Sequence, residues 1–270
     1  MIRRIIIAAV LMCAVSSVKA AEENSTFPAT GLAGISIKIP IGEITLEGGE
    51  SNQITVEQQF PQGNTESNRG NCSVTFKPSG GILTYTASDS PFRPKGQHCE
   101  VNLRITAPKE LSVQVFSGMG LMKVSGFTRT TVVDIKMGNI QLLDIGGDNL
   151  NITASKGNIT GKDIKAKHVK ADCSMGNIDL EGLSGTADVV NHKGRIALGW
   201  EQAPQSGVVD IHSSKGDVLL TFPAAARFTS KIKAAPNTLT NEFTPPSTPD
   251  GFNLYVKAFL GKVKILKSRI

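Results

Sequence analysis

Ser155-Lys156-Gly157-Asn158-Ile159 and Ser174-Met175-Gly176-Asn177-Ile178 are one phrase written twice. The phrase recurs in looser form on both sides. Met119-Gly120-Leu121-Met122 and Met137-Gly138-Asn139-Ile140 precede it. Lys193-Gly194-Arg195-Ile196 and Lys215-Gly216-Asp217-Val218 follow it. The six glycines step along the chain by 18, 19, 19, 18 and 22 residues. A fixed interval of this size marks a repeat architecture, in which each unit buries its apolar face only against its neighbours.

Positions counted from the glycine show what each unit is. Two residues after it stand Ile140, Ile159, Ile178, Ile196 and Val218, and four after it Leu142, Gly161, Leu180, Leu198 and Leu220. Five before it stand Val133, Ile152, Ala171, Val189 and Ile211, and three before it Ile135, Ala154, Cys173, Asn191 and Ser213. The intervening residues are mostly Lys, Asp, Asn, Ser and Thr. This is period-two alternation on both sides of a turn, so each repeat holds two short half-buried strands. In Ser155-Lys156-Gly157-Asn158 the glycine falls where a type II turn requires a positive φ. A meander of hairpins has no need to keep one register at every turn, and this array keeps one. The pattern therefore predicts an all-β, single-domain β-solenoid (β-helix-like) of 18–19-residue coils, stacked about 4.8 Å apart. Asn139, Asn158 and Asn177 then form a ladder along the turn.

The rest of the chain is read outward from this array. Arg3 and Arg4 precede an apolar stretch, and Val18-Lys19-Ala20 fits a small-residue cleavage rule. Residues 1–20 are thus expected to be a signal peptide and 21–31 a flexible N-terminus. The solenoid is expected over 32–270. It comprises an insertion at 61–100, regular coils at 101–222, a Pro-rich loop at 236–251 and a closing coil at 252–265. The whole-chain charge is +6, but Arg3, Arg4 and Lys19 belong to the leader and leave +3 on the mature chain. That balance gives no argument for nucleic acid, and no segment beyond the leader has the apolar length of a membrane span. An exported chain meets an oxidising compartment, so Cys72 and Cys99, which flank a Pro-rich loop, are expected to pair. Cys173 shares the inward register and reads as a buried thiol.

The order of features resembles a bacterial family of exported β-strand-repeat proteins of unknown function, labelled candidate adhesins. The resemblance is carried by three parts: Ile39-Pro40-Ile41-Gly42-Glu43-Ile44, the segment Ala107-Pro108-Lys109-Glu110 with Leu111-Ser112-Val113-Gln114-Val115, and the Ser-Lys-Gly or Ser-Met-Gly phrases at 155–157, 174–176 and 214–216. It implies a β-solenoid at the cell envelope, periplasmic or surface-exposed, with no catalytic residues to carry over. This chain departs from the commoner Ser-Gly-Asp-Ile phrase by placing Lys or Met before the glycine.

Four sets of residues offer chemistry. Sugar hydrolysis needs two carboxyls about 5–10 Å apart. Asp134 and Asp172 share a register with Thr153 between them, and Asp188 and Asp210 fall on neighbouring coils. His98, His168, His192 and His212 lack metal-ligand spacing, although His192 and His212 occupy adjacent coils, so no metal or other cofactor is expected. Asp144-Ile145-Gly146-Gly147-Asp148 reads as a plain turn. Lys156, Lys162, Lys165, Lys167 and Lys170 fall within one coil and its turn, and Lys193 and Lys215 continue its turn column. They read either as a binding face for an anionic envelope glycan or lipid or as a solvated face that discourages edge-to-edge pairing. Aromatic residues make up 5% of the chain, which disfavours a stacked-ring carbohydrate platform. The expectation is a non-enzymatic envelope scaffold whose partner is a glycan, a lipid or another protein. A lysine-face binding module and a carbohydrate-active β-helix are the alternatives.

Overall fold

In the computed structural model, the described residues are 21–61, 70–244 and 251–268, and every regular element among them is a strand. The expected leader lies outside the described residues. The first strands are β1 (Ala21–Pro28), β2 (Gly34–Ile41), β3 (Ile44–Gly49), β4 (Gln53–Phe60), β5 (Cys72–Ser79), β6 (Ile82–Asp89) and β7 (Asn102–Pro108). The long strands β8 (Ser112–Ser125) and β9 (Thr131–Ile145) follow. The array continues as β10 (Asn149–Lys156), β11 (Ile159–Ile164), β12 (His168–Met175), β13 (Ile178–Leu183), β14 (Thr186–Lys193), β15 (Ile196–Trp200), β16 (Val208–Lys215) and β17 (Val218–Phe222). The chain ends with β18 (Phe228–Lys233), β19 (Leu239–Asn241), β20 (Phe252–Leu260) and β21 (Val263–Lys267).

Each coil crosses two sheets. One runs β5-β6-β2-β8-β9-β10-β12-β14-β16-β20-β18. The other runs β1-β4-β7-β3-β8-β9-β11-β13-β15-β17-β21-β19. Strands β8 and β9 are long enough to cross the corner and belong to both. Pairing is parallel throughout the array. The antiparallel pairs β1–β4, β4–β7 and β5–β6 are confined to the N-terminal end. This is the predicted β-solenoid.

The sequence columns are columns in space. Val115, Val133, Ile152, Ala171, Val189, Ile211 and Val256 are successive register partners and all are buried. Met122, Ile140, Ile159, Ile178, Ile196, Val218 and Val263 do the same in the other sheet. Stacking like on like fills the space between the sheets at every level, while the outer face of each sheet stays polar and open.

The corner between the sheets explains the glycine. Its φ lies between 137° and 150° at Gly42, Gly120, Gly138, Gly157, Gly176, Gly194, Gly216 and Gly261. That is well beyond the +80° of a type II turn, so the expected turn type is replaced by a more open corner. A Cβ at Gly157 would stand 1.7 Å from the carbonyl oxygen of Gly138, and the same clash repeats from coil to coil. The corner therefore needs glycine twice over: for its φ and because the backbone below leaves no room for a side chain.

Three expected boundaries are corrected. Residues 21–31 are not a loose tail. β1 pairs along its length with β4, and Phe27 packs on Phe76 with ring centroids 4.9 Å apart. Its sequence, Ala-Glu-Glu-Asn-Ser-Thr-Phe-Pro, has no apolar alternation because it is an edge cover held mainly through its backbone. The segment read as an insertion at 61–100 supplies β6, which joins β7 to make the outermost N-terminal coil. Residues 101–108 belong to that coil, so the regular array begins at β8. At the other end, 252–265 does not close the stack. β20 and β21 lie between β16/β17 and β18/β19. The reason is apolar content. β20 buries Phe252, Leu254, Val256 and Ala258, whereas all three residues of β19 are exposed and most of β18 is polar. The more apolar coil takes the inner place, and the polar segment that precedes it in sequence becomes the cap. Trp200, Phe222, Phe228, Phe243 and Phe252 pack together under this cap, Trp200 stacking on Phe222 at 4.3 Å.

Candidate functional site

Beside the corner, three inward-facing polar side chains bond to its carbonyls. Asn191 Nδ2 donates to the Gly176 carbonyl (2.9 Å), Ser213 Oγ to Gly216 (3.1 Å) and Cys173 Sγ to Gly157 (3.4 Å). These three residues occupy the same position, three before the glycine. Burial, with a smaller contribution from Asp172, pushes the Cys173 thiol above its ordinary pKa, so it remains protonated as a donor. The asparagine ladder exists with a different bonding pattern from amide stacking. The Asn158 N–H donates to Asn139 Oδ1 (2.8 Å), the Asn177 N–H to Asn158 Oδ1 (2.9 Å) and the Arg195 N–H to Asn177 Oδ1 (2.9 Å). Each side chain thus satisfies the backbone of the next coil. Asn102 does this for the Glu43 N–H and Asp217 for that of Lys262.

The five lysines do not share a face. Lys170 alternates outward from the first sheet and Lys162 outward from the second, so they look away from each other. Lys165 and Lys167 sit on the return edge, where the coil passes back from second sheet to first. Lys167 is paired there with Asp148 at 2.8 Å. That contact lowers the Asp148 pKa and raises that of Lys167. Lys156 stands at the glycine edge, on the opposite side of the coil.

The carboxylate pairs are arranged as their spacing implied. Thr153 is the register partner of both Asp134 and Asp172. Asp188 is the partner of Asp210 on one side and of Lys170 on the other. All four aspartates are half-buried on the open outer surface of the first sheet. Asp210 Oδ1 lies 3.0 Å from His212 Nε2. His192 and His212 are on adjacent coils but out of step, since His212 faces Val190. Among the described residues no three His, Cys, Asp or Glu side chains gather as metal ligands. The Asp144–Asp148 segment is a turn in which Asp144 adopts a φ of 52° and Gly147 one of 91°.

The Cys72–Cys99 bond is present. It closes the corner of the outermost coil, where a loop replaces the glycine phrase. Asp89 organises that loop. Its carboxylate accepts the Cys99 N–H (2.8 Å) and contacts Arg93 (2.9 Å) and His98 (3.3 Å). Arg93 Nε donates to the Gln97 carbonyl at 2.7 Å. The Cys99 N–H, and secondarily His98 and Arg93, hold the Asp89 pKa below the ordinary range.

One arrangement was caught in the sequence reading only through its lysines. The residues immediately before the corner glycines, Met119, Met137, Lys156, Met175, Lys193, Lys215 and Leu260, are register partners in one unbroken column. The three methionines are 42–43% exposed and Leu260 is 61% exposed. At the N-terminal end of the same edge the disulfide loop carries Phe92, 93% exposed. The signal was in the phrases themselves, as the Met or Lys that replaces the commoner serine before each glycine.

A family profile described as Toastrack DUF4097 matches residues 33–238. A search of curated proteins finds no match. Similar solved structures include a candidate lipid-binding protein from Parabacteroides distasonis, at 14% identity and a TM-score of 0.48, covering 92% of this chain and 97% of that one. A candidate adhesin from Bacteroides fragilis is 11% identical with a TM-score of 0.46 over 92% and 97% of the two chains. A candidate cell-adhesion protein from Clostridium sporogenes is 8% identical with a TM-score of 0.34 over 93% and 100%.

Proposed function

The chain belongs to the Toastrack DUF4097 family, and on that premise we propose that it is a non-enzymatic exported envelope protein, an adhesin-like β-repeat scaffold whose outer surface is its working part. One observation carries this reading. The inward polar side chains three positions before the corner glycines bond to corner carbonyls, and the carboxylates considered for catalysis lie on open sheet faces. A solenoid built this way offers a long surface and little enclosed volume. Export is supported by the leader-like first twenty residues and by the disulfide, which persists in oxidising compartments. No helix among the described residues is long and apolar enough to cross a membrane.

The test is retention of purified protein, from Ala21 onward, on separated envelope polysaccharide and lipid fractions at low and high salt, together with cross-linking in cells. Retention on one fraction, or a cross-linked envelope protein, is expected. Absence of both, or turnover of an envelope glycan that Asp188→Asn with Asp210→Asn abolishes, overturns the reading.

A further inference from the structure

We propose that the glycine edge lies against an anionic phospholipid surface. This inference rests on the reading of the chain as an envelope interaction scaffold and names the partner of one side of it.

The described residues expose ten large apolar side chains. Six of them, Phe92, Met119, Met137, Met175, Phe259 and Leu260, lie along this one edge. They do not form one apolar patch, because Lys156, Lys193 and Lys215 stand between them in the column, but more than half of the exposed large apolar groups gather on one edge of the molecule. The residues are aligned because parallel coils stack without offset. The column from Ile41 to Leu260 has seven steps of about 4.8 Å, a ridge about 34 Å long. A concave protein site would gather such groups, whereas a row touches a plane along its whole length.

The charges complete the match. Lys136, Lys156, Lys193, Lys215 and Lys262 stand within two residues of the corner glycines, interleaved with the apolar groups. The acids at the same corner positions are Glu43, Glu100 and Asp217. Glu43 is held by Lys123 at 2.6 Å, and Asp217 accepts the Lys262 N–H at 2.8 Å. Lysines carry their charge on flexible stems, so they reach headgroup phosphates while neighbouring methionine and phenylalanine side chains enter the headgroup–acyl boundary. At the C-terminal end, Lys257 lies over the Phe259 ring at 4.9 Å, coupling the two chemistries in one pair. At the other end Phe92 is not on a loose tail. The disulfide, the Arg93–Asp89 pair and the Arg93–Gln97 bond fix the loop that displays it. The return edge lacks this character, since its lysines stand among Asp144, Asp148 and Asp163.

The experiment is flotation of the disulfide-bonded protein with vesicles of phosphatidylglycerol and phosphatidylcholine, and with vesicles of phosphatidylcholine alone. Binding to the mixed vesicles is expected, with salt weakening it. Combined Met119→Ser, Met137→Ser and Met175→Ser should weaken it on the order of tenfold. Combined Lys156→Ser, Lys193→Ser and Lys215→Ser should do the same. Lys162→Ser with Lys165→Ser, away from the edge, should leave it unchanged. A Met137→Trp variant gives a second readout independent of those multiple substitutions. Trp200 is buried, so a blue shift of this variant on adding the mixed vesicles reports the edge itself. No flotation, flotation that both triple variants retain, or an unshifted emission from the bound Met137→Trp variant overturns the proposal. Should the protein bind envelope polysaccharide or a cross-linked protein yet fail to float, the scaffold reading survives and the lipid-facing edge does not.

Discussion

At the glycine edge, eight coils repeat one backbone geometry; at the return edge, neighbouring coils solve the same problem differently. The return turn places Gly126, Asp144, Asp163 and Gly182 at φ values of 75°, 52°, 54° and 73°, each six residues after a corner glycine. Three residues separate β11 from β12, and two separate β13 from β14. The next turn lengthens to span 201–207, which produces the 22-residue step. The difference lies in what the neighbouring coil forbids. A carbonyl oxygen 1.7–2.1 Å from a would-be Cβ excludes every residue but glycine at the corners. At the left-handed return positions the neighbouring backbone stands farther off, 2.8 Å from a would-be Cβ at Gly126 and 2.9 Å at Gly182, and aspartate occupies two of the four; the turn also tolerates added length.

The sharpest way to break this comparison is one substitution on each edge. Gly157→Ala forces a Cβ onto the Gly138 carbonyl at a φ of 137°. It should cost about 3–5 kcal/mol in urea unfolding, the sum of backbone strain and overpacking. Asp163→Gly should stay within about 1 kcal/mol, because relief of the left-handed aspartate offsets added freedom in the unfolded chain. The second prediction concerns the corner that has no glycine phrase. Cys72→Ser with Cys99→Ser opens a loop of 27 residues and should cost about 3.5 kcal/mol on the chain-entropy estimate, read as a lower melting temperature. Third, Asn158→Ala removes the acceptor for the Asn177 N–H at an exposed position and should cost about 1 kcal/mol in the same unfolding assay.

The smallest effect is a pH dependence confined to the disulfide corner. The Asp89 pKa is depressed in the folded protein. Its contribution is therefore complete above the unfolded carboxylate value of about 3.9 and is lost as pH falls through the folded one. Acidification below about pH 4 should raise proteolysis within 90–99. Asp89→Asn should show the raised cleavage already at neutral pH.

How much of this was legible follows from the same contrast. The solenoid, its register and the inward columns could be read because stacking repeats one constraint at each level, and the disulfide because two cysteines flank one loop in an exported chain. The ends could not. β1 is polar and is held by backbone pairing, which leaves no periodic trace. The inner placement of β20–β21 depends on a competition between two coils for one site, and sequence order is silent about that. The lysines misled for a related reason. Neighbours in sequence such as Lys162 and Lys170 are carried to opposite faces by half a coil, whereas Met119 and Met175, 56 positions apart, share an edge. Proximity in a solenoid runs along columns.

The measurement that tests the account most directly is methionine oxidation followed by mass spectrometry, with and without anionic phospholipid vesicles. In free protein, Met119, Met137 and Met175 should oxidise readily while the buried Met122 stays protected as an internal standard. On vesicles the account predicts that all three exposed methionines become protected together. Unchanged oxidation of the three in vesicle-bound protein would mean that another face makes the contact and would contradict the assignment of the glycine edge.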